Sequence, residues 1–197
     1  SKYIVIMNPD TLLVEEGTID RLIDEIEIER DKDSKIIGGQ PLIQTAGTQN
    51  LSIREVYTYF DSLIQVFLPL RLVFKKRYNN MWKKNSLNDK KQYFEVPAGN
   101  FFIIDANIFF YQLHGFDEHT FLYEEEMILG FKLKSIGLHF LFVPSEKVNH
   151  EQGKSTHSHQ KLSYFAFKHM LHSKNIYLKK YLKVGLFHVV LLDLLFI

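Results

Sequence analysis

The chain opens on a short apolar run, Tyr3 to Met7, carrying β-branched Ile4, Val5 and Ile6. A run of that length and composition predicts a buried strand. Asn8-Pro9-Asp10 ends it, because Pro9 has no N–H to give to a ladder. Past Gly17, Thr18 can cap a helix. Ile19, Leu22, Ile23 and Ile26 then recur at the spacing of one buried helical face. Glu29 to Asp33 ends that helix in charge. Lys35 to Ile43 predicts a second strand, broken by Gly38-Gly39 and Pro41. The start of the chain therefore reads strand, helix, strand, a βαβ unit.

The pattern changes after Thr45. Ser62 to Phe74 is apolar and aromatic, and Lys75, Lys76, Arg77, Lys83, Lys84, Lys90 and Lys91 follow, around Trp82. Asp89 is the only acid between Arg71 and Lys91. This segment, 65 to 91, reads either as a basic amphipathic stretch lying on an anionic membrane surface or as a surface helix packed on the domain. Phe94 to Ile104 returns to strand character. Asp105 can cap a short helix carrying Ile108, Phe109 and Leu113, which Gly115 ends. Phe121 to Ile136 reads as an amphipathic helix stopped by Gly137, and Leu138 to Val143 as a strand stopped by Pro144. Lys154 to Lys183 holds seven Lys and no acid; Val184 to Ile197 is apolar at eleven of fourteen positions.

Composition narrows the class. The 197 residues are 46% hydrophobic and 24% charged, which permits one sizeable core and excludes a disordered or collagen-like chain. Against 24 basic residues stand 23 acidic ones, so the net charge of +1 points to no nucleic-acid partner. With no cysteine, thiolate zinc sites, disulfides and a Cys nucleophile are excluded. No stretch reaches about 18 uninterrupted apolar residues, and the first residues lack the pattern of a secretory signal.

Three places could carry chemistry. Asp10 follows a strand end, where α/β sheets place ligands; its carboxylate suits either a hard cation or an ordinary turn. Glu124-Glu125-Glu126 opens a helix, where acids favour the dipole. Successive helical residues point about 100° apart, so one or two of them could reach a cleft. A general base there must be ionised at working pH. His150, before Glu151-Gln152-Gly153-Lys154-Ser155-Thr156, could contact a metal or a phosphate. No GxxxxGK[ST], GxGxxG, GxSxG or HExxH is present, which leaves kinase, dehydrogenase, serine-hydrolase and zincin readings without a motif.

The order of the pieces is more specific than any one piece. Strand–NPD–helix–strand is followed by VPAGNFFIIDANIF, then GFDEHTFLYEEEMILGFKLKSIG, then FLFVPSEKVNHEQGKST. This order resembles the family 2 glycosyltransferases of the GT-A fold, in particular the bacterial, rhamnosyltransferase-like branch of surface-polysaccharide assembly. The resemblance covers residues 2 to 183, least firmly over the basic stretch. It implies an α/β fold with a GT-A-like mixed sheet flanked by helices, the C-terminal part of a GT-A domain over 1–153, and a lid with basic and apolar helices over 154–197. It implies inverting, metal-assisted transfer of a sugar from a nucleotide-sugar donor to a saccharide or lipid-linked acceptor, at the inner face of the membrane.

Carried over by position, the resemblance makes Glu126 the base, with Glu125 beside it. It gives Asp10 and His150 the donor diphosphate and its Mg2+ or Mn2+. Gly99, Asn100 and Asp117 fall on the acceptor or sugar side, and Gln152, Gly153 and Lys154 in the lid. The sequence departs from the family at three points. The second acid of the pair is Glu rather than Asp, one methylene longer. Ile128 replaces an acid often found two residues on. The elements that bind the nucleotide in family members do not precede the NPD strand, which together with the apolar last residues is expected either of a fragment or of a degenerate gene product. Two further readings stand beside it: a non-catalytic membrane-surface or partner-binding module, and a glycoside hydrolase using Asp117 and Glu126. The apolar end at Val184 to Ile197 could pair with a second copy, giving a homodimer, or with lipid.

Overall fold

The computed structural model describes residues 1–45, 48–49, 53–81, 90–151 and 164–196. Among the described residues seven strands form one mixed sheet: β1 (Tyr3–Met7), β2 (Thr11–Leu13), β3 (Ile36–Thr45), β4 (Thr48–Gln49), β5 (Gln92–Phe94), β6 (Phe101–Asp105) and β7 (His139–His150). The order across it is β1-β6-β3-β7-β2, with β4 on β3 and β5 on β7. β3 and β7 run parallel, while β6 lies antiparallel to both β1 and β3. β1, β3 and β7 therefore point the same way, and their carboxyl ends meet the start of β6. The helices are α1 (Thr18–Arg30), α2 (Tyr59–Val66), α3 (Leu68–Val73), α4 (Lys75–Met81), α5 (Glu125–Ser135), α6 (Tyr164–Ile176) and α7 (Leu186–Phe196).

The first unit is a split version of the expected strand–helix–strand. β6 inserts between β1 and β3, so these two never pair directly. β1 is an edge strand, with Tyr3 buried but Val5 and Met7 exposed, rather than the fully buried strand its composition suggests. The break expected at Gly38-Gly39 and Pro41 is absent, because each residue has a place inside β3. A Cβ on Gly38 would strike the carbonyl of Ile103; one on Gly39 would lie 2.9 Å from Ile26 Cδ1 of α1. The glycines let β6 and α1 approach. Pro41 sits where the β3–β7 register shifts, the kind of irregularity that accommodates a proline. The same irregularity absorbs Pro144: β7 runs through it to His150 instead of stopping.

Phe94 to Ile104 is two strands, β5 and β6, parted by residues 95–100. The helix expected from Asp105 is a π-helical turn, Ile108–Gln112; Ile108 N donates to Asp105 Oδ1 at 3.1 Å, and Gly115 follows with φ 65°. α5 begins at Glu125, four residues later than the periodicity suggests, because Tyr123 (φ 67°) and Glu124 (φ 66°) are left-handed.

Two apolar layers cover the sheet. Leu22 and Ile26 of α1 pack with Ile36, Ile43, Phe101, Ile103, Leu141 and Val143 on one side. On the other, Phe94, Phe102, Phe140 and Phe142 meet Leu129 and Leu133 of α5. A third cluster, Tyr57, Val96, Met127, Ile128, Tyr177, Leu178, Val189 and Leu192, ties α5 to α7. Gly130 brings α5 against the sheet: a Cβ there would lie 2.6 Å from Val96 Cγ2. Much of the aromatic content is spent in these clusters.

The described start of the basic stretch, 65–81, runs from the end of α2 through α3 and α4. A capping box at Thr58 and Asp61 starts α2, and Arg77 of α4 returns to Asp61 with Nε 2.6 Å from Oδ1. Leu68, Leu72 and Val73 of α3 stay exposed. Trp82, Lys83 and Lys84 lie outside the described residues, as does Asp89.

Candidate active site

The carboxyl ends of β1, β3 and β7 gather most of the expected residues. Met7 pairs with Phe101 at the end of β1, so Asn8 falls beside Asn100 and donates its N–H to the Asn100 carbonyl at 3.0 Å. Thr11 Oγ1 donates to the same carbonyl at 3.0 Å. Thr11 also pairs with His150 across β2 and β7. That register brings Asp10 and His150 together: His150 Nε2 lies 3.2 Å from Asp10 Oδ1. His150 is thus a strand residue facing Asp10, not a loop residue beyond the strand. Its Nδ1 and the side-chain Oδ1 of Asn100 are buried with no hydrogen-bond partner among the described residues.

Gly99, the neighbour of Asn100, is the seat of Glu126. A Cβ at Gly99 would fall on Glu126 Oε1, so the carboxylate rests directly on the glycine backbone. Gln40 of β3 holds the preceding residue, accepting from Ala98 N at 2.7 Å. Glu126 keeps some contact with solvent, but its carboxyl group is enclosed by protein. Burial pushes that carboxyl up to about 7, and the charge of Glu125 adds to the rise. Glu125 Oε2 is itself buried without a hydrogen bond among the described residues.

The cleft at Glu126 measures about 330 Å³ and is lined by Arg54, Tyr57, Tyr123, Glu124, Met170 and Lys174 among others. Glu124 is the third acid of the triplet and turns away from the helix. Tyr57 Oη donates to its Oε2 at 2.5 Å. Burial raises the Glu124 carboxyl, a rise that the Tyr57 hydrogen bond and the charge of Lys174 oppose. Lys174 is buried, which lowers its amine, and the charges of Glu124 and Asp193 hold it up. Ser173 Oγ donates to Leu122 O at 2.7 Å. So α6 clamps the 122–124 turn, where two consecutive left-handed, non-glycine residues store backbone strain beside the candidate base. The resemblance had put Glu126, Gly99 and Asn100 among the candidates. Nothing in the sequence pattern marks Arg54, Tyr57 or Lys174, which reach the cleft from separate elements.

Asp117 lies elsewhere. It is not among the residues lining the cleft. Its Oδ2 accepts from Lys180 Nζ at 2.8 Å and from Tyr181 Oη, and its Oδ1 accepts from His119 N at 2.9 Å. Burial acts to raise its carboxyl, but these donors outweigh burial and hold it well below the usual carboxylate range. Away from the cleft and with both oxygens taken by these donors, Asp117 has no place opposite Glu126, which argues against the hydrolase pairing of the two. Gln152, Gly153 and Lys154 lie outside the described residues, as do Ser155 and Thr156.

No protein-family model matches the chain, and no curated protein matches it. One solved structure it is similar to is GalNAc-T7 crystallised with UDP, GalNAc and Mn2+. The identity is 17%, the TM-score 0.48, and the match covers 76% of this chain but 27% of that one. The chain therefore spans about a quarter of that structure's length.

Among the described residues no group of three His, Asp or Glu is arranged to hold a metal ion. Asp10 and His150 nonetheless fit one as a pair. They are an oxygen and an imidazole donor at one strand end; the second ring nitrogen of His150 and the nearby amide oxygen of Asn100 are buried without a partner among the described residues. That mixture suits Mn2+ better than Mg2+, which prefers oxygen alone.

Proposed function

We propose that this site transfers a sugar from a nucleotide-sugar donor to an acceptor hydroxyl with inversion, as the resemblance to family 2 glycosyltransferases of polysaccharide or glycolipid assembly implies. The observation that carries the reading is the Glu126 carboxylate. It is seated on the Gly99 backbone at the floor of a cleft, is raised to about 7, and shares one end of the sheet with the Asp10–His150 pair. A base needs an affinity for protons near its working pH, and Glu126 has it at neutrality.

In this mechanism an acceptor hydroxyl lies in the cleft against Glu126. As its oxygen attacks the anomeric carbon, Glu126 takes the hydroxyl proton. The bond from that carbon to the diphosphate breaks, and its electron pair leaves with the nucleoside diphosphate. A Mg2+ or Mn2+ held by Asp10 and His150, when bound, supplies positive charge to the leaving diphosphate. Tyr57, Lys174 and Ser173 keep the 122–124 turn in place and so fix where α5 starts and where Glu126 points. Gly99 sets the distance: the longer Glu fits because no side chain occupies position 99. Arg54 lines the same cleft and favours the ionised form of Glu126.

The test is Glu126→Gln in a nucleotide-sugar transfer assay. Transfer should be lost while the donor still binds. Unchanged turnover would remove Glu126 from the role of base.

A further inference from the structure

A second cavity of about 330 Å³ opens away from the cleft, lined by His119, His172, Asn175, Ile176, Lys179 and Lys180. It is basic. His172, Lys179 and Lys180 belong to the acid-free run from Lys154 to Lys183. The acids nearby are already engaged: Asp117 holds Lys180, and Asp193 of α7 accepts from Asn175 Nδ2 at 2.9 Å. Glu118, next to His119 in sequence, is the exposed acid that opposes an anion here. Tyr177–Tyr181 is a π-helical turn, closed by Leu182 N to Tyr177 O at 3.1 Å, and it sets Tyr177 and Leu178 in the core with Lys179 and Lys180 outside. Such turns recur at functional sites.

Asn175 in the wall of this cavity ties it to Asp193 of α7. Val189 and Leu192 bury one side of that helix. Phe187, Val190, Leu191 and Leu194 are exposed on the opposite side, at i, i+3, i+4 and i+7. A soluble surface helix would carry polar residues there. Eleven residues make about 16 Å of helix, far short of a bilayer core, and no helix among the described residues is long and apolar enough to cross one. A basic pocket beside an exposed apolar stripe fits a surface that is anionic outside and apolar just beneath.

We propose that this face docks on an anionic lipid leaflet. A lipid phosphate sits among Lys179, Lys180, His119 and His172, and the Phe187–Leu194 stripe lies in the acyl boundary. The inference stands apart from the transfer reading, since it uses none of the cleft residues. Across α2, α3 repeats the composition, with exposed Leu68, Leu72 and Val73 followed by Lys75 and Lys76.

Co-sedimentation with vesicles tests it. The protein should bind phosphatidylglycerol–phosphatidylcholine vesicles, release them in high salt, and bind pure phosphatidylcholine far more weakly. Lys179→Gln should cut partitioning about fivefold. Phe187→Ser with Leu194→Ser should cut it again with the salt dependence kept, and circular dichroism checks that each variant is folded. Equal binding to both vesicle types, no binding, or unchanged binding by the Lys variant would overturn the proposal. Binding of inorganic phosphate without vesicle binding would overturn it in favour of a soluble phosphate ligand.

Discussion

Glu126→Gln should stabilise the chain while abolishing its chemistry. Raising a carboxyl from its ordinary 4.5 to about 7 means that the folded chain holds a proton the unfolded chain has lost. Stability therefore falls as pH rises across that window and stays lowered above it. At about 1.4 kcal/mol per unit the full penalty is about 3 kcal/mol; solvent still reaches part of Glu126, which screens it to about 2 kcal/mol. Glutamine keeps the shape without the charge. At about pH 8 its melting temperature should exceed that of the wild type by about 4 to 8 °C, and near pH 4 the two should coincide. Transfer should fall by roughly 10²- to 10⁴-fold, and in the wild type kcat/KM should rise with pH through about 7. Thermal melts across pH and initial-rate transfer assays read both. A glutamine variant no more stable than the wild type at pH 8, or one that transfers normally, would refute the reasoning.

Gly99→Ala places a methyl where Glu126 Oε1 rests, so activity should fall at least tenfold with little loss of stability, because the far end of a side chain can yield. Adding Glu126→Asp, one methylene shorter, should restore part of the rate; transfer assays and melts on the three variants check this. Tyr57→Phe removes the donor to Glu124 and should cost about 2 kcal/mol in urea unfolding, with a parallel loss of turnover as the left-handed turn loosens. Asp117→Asn should cost about 1 to 3 kcal/mol at neutral pH by weakening its bonds to Lys180, Tyr181 and His119. Because the Asp117 carboxyl is held low, that gap is full above the ordinary carboxylate range and should close as pH falls below it, which acid titration of both proteins measures.

The mixed α/β class was legible in the sequence, as was the grouping of several candidate residues at one end of the sheet; the details of the strands were not. Asp10 and His150 could be placed because motif order preserves strand ends, and the register of β2 on β7 then brings them within 3.2 Å. The strand breaks expected at Gly38-Gly39, Pro41 and Pro144 failed for a shared reason. Glycine and proline read as stops only when the neighbours are unknown, and here β6, α1 and a register shift give each a role inside a strand. The late start of α5 was hidden because helical periodicity is blind to left-handed residues such as Tyr123 and Glu124, which tertiary contacts with Tyr57 and Ser173 support. β2 went unread since three residues with Leu12 and Leu13 exposed carry no alternation to detect. In the sequence Lys174 is one of seven lysines in an acid-free run, and nothing there sets it apart; the fold buries it beside Glu124.

The most direct test of the central claim is nucleoside diphosphate release from a panel of nucleotide-sugars with Mn2+ and a saccharide or lipid-linked acceptor, comparing the protein with its Glu126→Gln variant. The account predicts acceptor-dependent release by the wild type, and donor binding without release by the variant. Release at the same rate by both, or none by the wild type with any donor, would contradict it.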